Sequence, residues 1–74
     1  MFRKLALKKA IKDSEKEIES LEKKRMRSQS ALMETMVTGE KPSKQDEEYF
    51  KLYTSLIEME RKNLVRLHSE LNSL

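Results

Sequence analysis

Thr38-Gly39-Glu40-Lys41-Pro42-Ser43-Lys44-Gln45-Asp46-Glu47-Glu48 contains the only glycine and the only proline of a 74-residue chain. Gly39 can take the left-handed backbone that closes a helix C-terminus, and Pro42 bars the helix from continuing. Ser43 is a natural N-cap, whose hydroxyl can accept from the amide three residues on. Asp46, Glu47 and Glu48 then place negative charge where the helix dipole favours it. One helix therefore ends here and another begins. Upstream, residues 2–38 have no helix breaker and are rich in Lys, Glu, Leu, Ala and Met, all good helix formers. The pattern predicts helices over about residues 2–38 and 44–73 with a turn at 39–43, roughly 55 and 45 Å long at 1.5 Å per residue.

Working outward from the turn, two stripes follow alternating steps of three and four, which keeps each on one helix face. The first is Ile11, Ser14, Ile18, Leu21, Arg25, Ser28, Leu32 and Thr35. The second is Phe50, Tyr53, Ile57, Glu60, Leu64, Leu67, Leu71 and Leu74. Folding the chain at Pro42–Ser43 pairs Ile11 with Leu74, Ile18 with Leu67, Leu21 with Leu64 and Thr35 with Phe50, each pair adding to 85. The expected fold is all-α: an antiparallel, coiled-coil-like two-helix hairpin. In this register Arg25 faces Glu60. That polar layer reads as a register lock, because slippage would set each charge against an apolar layer; a recognition or switch site is the other reading. At flanking positions Glu22 approaches Arg61 and Glu15 approaches His68. Residues before Ile11 find no counterpart, so residues 1–10 are expected to overhang.

The seam leaves apolar residues over. Tyr49, Leu52, Leu56 and Met59 line one flank of the second helix, and Met26, Met33 and Met36 line the opposite flank of the first. Contiguous apolar stripes on a soluble chain mark partner-binding surfaces, and methionines suit adaptable ones. A hairpin buries only one stripe of each helix, so completion by a homodimeric four-helix bundle or by a helical partner protein is expected.

Charge is unevenly spread. Arg3, Lys4, Lys8, Lys9 and Lys12 make a local +5 with no acid, whereas residues 13–74 carry eleven basic and thirteen acidic side chains. Three readings of this arm compete: a solvated helix end, non-specific contact with nucleic-acid phosphates, or an anionic membrane surface reached through Phe2, Leu5 and Leu7. A second basic group, Lys23, Lys24, Arg27, Arg61 and Lys62, is diluted by Glu19, Glu22 and Glu58 and reads as a solvated girdle.

Catalytic and metal chemistry have no footing in the pattern. The single His68 stands without cysteines or clustered ligands, and one glycine cannot build a phosphate cradle. No cofactor, metal or enzymatic activity is expected. No apolar run approaches the ~20 residues that span a bilayer, and nothing reads as a signal peptide. The chain is therefore expected in the cytoplasm, as a non-enzymatic interaction module: a small adaptor, chaperone-like subunit or inhibitor. The alternative is a homodimeric bundle that binds nucleic acid through its basic arm.

Overall fold

The computed structural model describes residues 2–74, and Met1 of the basic arm lies outside the described residues. Two helices, α1 (Phe2–Thr38) and α2 (Lys44–Asn72), account for all its regular structure. They fold back as an antiparallel hairpin, a rod of 57 × 15 × 14 Å. Gly39 closes α1 with φ at +76°, in the left-handed region where a side chain would be strained. Ser43 stands at the N-cap of α2, but its hydroxyl makes no capping bond. The helix is started by its carbonyl instead, which accepts from the Glu47 amide at 3.1 Å. Ser43 therefore caps through its extended backbone alone, and Asp46 and Glu47 occupy the first turn.

The two stripes form the seam. Ile11, Ser14, Leu21, Ser28, Ile57 and Leu67 are buried. Ile18, Arg25, Leu32, Thr35, Phe50, Tyr53, Glu60, Leu64 and Leu71 are half-buried. The small hydroxyl residues Ser14 and Ser28 sit deep because they occupy little room where the helices approach.

The register differs from the expected one by a heptad. Leu7, Ile11 and Leu67 form one buried cluster, with Ala10, Leu64 and Leu71 packed against it. Leu7 is 7% exposed, whereas Leu74, the expected partner of Ile11, is 60% exposed. Further along the rod the Ser14 hydroxyl reaches Glu60 at 2.7 Å, whereas the expected fold-back would set Ser14 level with Leu71. These neighbours set Leu71 level with Leu7, Leu67 with Ile11, Leu64 with Ser14 and Ile57 with Leu21. A step of seven residues returns each helix to the same face, so the same stripe is buried in either register.

The physical reason for the shift lies at the far end of the rod. α2 ends at Asn72, so Leu74 has left the helix and cannot complete a layer. Leu7 lies well inside α1 and can. The exchange docks the chain from Leu7 onward against α2. The expected overhang of residues 1–10 thus shrinks to the segment before Leu7, where Phe2 and Leu5 are exposed.

One defect stands in this packing. The Thr54 hydroxyl oxygen is buried and has no hydrogen-bond partner. Thr54→Val keeps the branched shape and removes the orphan group. It is expected to stabilise the hairpin by about 1 kcal/mol, read as a higher urea midpoint at unchanged slope.

Candidate interaction surface

The expected Arg25–Glu60 layer does not form. The heptad shift moves the two residues about 10 Å apart along the helix axes, and among the described residues no ion pair joins them. Glu60 instead accepts from the Ser14 hydroxyl at 2.7 Å and from the Asn63 amide at 3.2 Å. Two neutral donors thus satisfy the half-buried carboxylate from both helices without burying a guanidinium. Arg25 is half-buried at the seam and joins no ion pair among the described residues. The sequence signal for Ser14 as a partner is its hydroxyl on an otherwise largely apolar stripe.

Flanking contacts fix the two sides of the rod. Arg61 Nη2 lies 2.8 Å from Glu22 Oε1. This pair survives the shift because side chains lean toward the N-terminus of their own helix, so two antiparallel neighbours several residues apart lean toward each other. The Glu15–His68 contact does not form among the described residues, and His68 is exposed. In the basic girdle Lys23 pairs with Glu19 at 3.5 Å and Arg61 with Glu22. Exposed pairs of this kind contribute only a few tenths of a kcal/mol.

Met26, Met33 and Met36 lie on the Glu22–Arg61 side and are exposed. The other stripe, Tyr49, Leu52, Leu56 and Met59, lies on the opposite flank, since each of its residues immediately precedes an α2 seam residue whereas Arg61 follows one. Leu52 is 50% and Met59 66% exposed; Leu56 is half-buried. Its turn-proximal end is pre-arranged: the Tyr49 and Tyr53 rings stack at 6.0 Å between centroids, and the Gln45 side-chain amide donates to the Tyr49 hydroxyl at 3.0 Å. The two stripes are kept apart, and each offers a separate face. Val37 and Val65 are also exposed. Val37 follows Met33 at four residues and extends the methionine face, a continuation visible in the spacing but not counted among the stripe residues.

Arg3, Lys4, Lys8, Lys9 and Lys12 are all exposed, and none joins an ion pair among the described residues. Leu7 turns the other way, into the Leu67 cluster, which leaves only Phe2 and Leu5 of the apolar trio considered for a membrane surface. A hollow of about 580 Å³ is lined by Lys23, Met26, Arg27, Ser30, Ala31 and Glu34. All six belong to α1, so no second wall encloses it and it cannot exclude water from a reacting group. Among the described residues no group of His, Cys, Asp or Glu could hold a metal ion, and no helix is long and apolar enough to cross a membrane. Comparison with protein-family models, curated proteins and solved structures finds no match.

Proposed function

We propose that this chain is a non-enzymatic protein–protein interaction module, a small cytoplasmic adaptor, chaperone-like subunit or inhibitor that works by presenting the α2 stripe to another helical surface. The observation that carries the reading is the run of Tyr49, Leu52, Leu56 and Met59 along α2, with Leu52 and Met59 open to solvent. A rod held by a single seam keeps this stripe rigid, so docking costs little conformational entropy beyond side-chain ordering. An aromatic and three flexible aliphatic side chains form the kind of anchor set that partner helices bury in grooves.

The test is the double variant Leu52→Glu/Met59→Glu. Both positions lie off the hairpin seam, so helicity by circular dichroism is expected to stay close to that of the parent, and the thermal midpoint to fall only by what the lost association contributed. Association, whether with itself or with proteins captured from cells that make the chain, is expected to fall by at least tenfold. An equal yield of complexes from parent and variant would remove the α2 stripe as the working surface.

A further inference from the structure

The α2 stripe has a symmetry that a surface for an unrelated partner does not require. Tyr49, Leu52, Leu56 and Met59 are spaced three, four and three apart, so the stripe reads the same from either end. Laid antiparallel on a copy of itself, it sets Tyr49 against the partner's Met59 and Leu52 against the partner's Leu56. The next layers outward are Gln45 and Asn63, two amides that meet each other and bound the apolar patch at both ends.

The charges beside the stripe obey the same symmetry. Glu48, Ser55 and Lys62 recur at seven-residue spacing along its outer edge. Antiparallel helices bring such edge positions onto each other, as the Glu22–Arg61 pair within the hairpin already illustrates. Glu48 then faces the partner's Lys62, Lys62 faces the partner's Glu48, and Ser55 meets the partner's Ser55 at the axis. Glu48 and Lys62 are both exposed, and neither joins an ion pair within the hairpin among the described residues. A parallel arrangement would place the two Glu48–Lys62 edges on opposite sides of the interface and bring none of these charges together. The axis beside Ser55 falls near the middle of the 57 Å rod, so two copies overlap along most of their length and close on themselves without leaving a growing end.

Resting on the interaction reading above, we propose that the occupant of the α2 stripe is a second copy of this chain, docked antiparallel about a two-fold axis beside Ser55 to complete a four-helix bundle. Sedimentation equilibrium at moderate ionic strength tests it, using the whole chain and substitutions at exposed positions. The parent is expected to be a dimer. Glu48→Lys and Lys62→Glu each convert two attractive contacts into two repulsive ones, and each is expected to raise the dimer dissociation constant about tenfold. The combined variant restores opposite charges and is expected to return within about threefold of the parent. Glu47→Lys, one residue further round the same turn, is expected to leave the dimer unchanged, which separates contact across the axis from loss of negative charge at the start of α2. A dimer indifferent to all three single changes, or one not rescued by the combination, would overturn the proposed geometry. A parent that stays monomeric, yet loses a captured protein on Leu52→Glu/Met59→Glu, would overturn the second copy and leave the interaction reading in place.

Discussion

Ile57→Ala is expected to destabilise the hairpin by about 3 kcal/mol, the middle of the range for truncating a buried aliphatic side chain. Ile57 is 1% exposed, the one large side chain wholly removed from water among the described residues, and Leu21 on the facing helix is buried as well. A two-layer rod has no further shell that could collapse into the gap, so both the transfer and the cavity contributions are expected in full. A chain of this size carries a total stability of roughly 4–11 kcal/mol. The loss therefore takes a large share, and a considerable unfolded population is expected well below the parent's melting temperature. Urea unfolding followed by circular dichroism measures it as a lower midpoint at unchanged slope. Val65→Ala, at an exposed position of the same helix, is the comparison and is expected to stay within about 0.5 kcal/mol. Equal, small effects at the two positions would mean that the seam does not run through Ile57.

How much of this was legible in the chain follows from what each residue type can specify. Gly39 has one use before a proline, and its positive φ is that use. The stripes were legible because burial on one face leaves a period that no other structure imitates. The register was not, because sliding by seven residues preserves every face and merely exchanges Leu74 for Leu7. Arg25 and Glu60 seemed to break that tie, being the only opposite charges on the two stripes. Glu60 had a cheaper solution in Ser14 and Asn63, which ask for no buried cation. Ser43 was legible as a boundary but not as a mute one, since a hydroxyl's rotamer leaves no trace in sequence. The α2 stripe was legible as residues left over from the seam. Its flank depends only on helical phase, which a heptad shift does not alter, so this surface survived the error in register.

Leu7 and Leu74 provide the decisive comparison for that register. Leu7→Ala is expected to cost about 2–3 kcal/mol, because Leu7 is buried against Ile11 and Leu67 with Ala10, Leu64 and Leu71 around it. Leu74→Ala is expected to cost under about 0.5 kcal/mol, since Leu74 lies beyond the end of α2 and is mostly in water. Pairing Ile11 with Leu74 would reverse the order of the two losses, so one pair of urea titrations distinguishes the arrangements without a new structure. Hydrogen exchange sharpens the result. Leu7 is the last side chain holding the start of α1 to α2, and Leu7→Ala is expected to speed amide exchange across the basic segment before Ile11 while leaving the turn-proximal amides unchanged. The same residue therefore sets how Lys8 and Lys9 are displayed: fixed along a docked helix in the parent, and released with the overhang as a fraying tail when the Leu7 layer is lost.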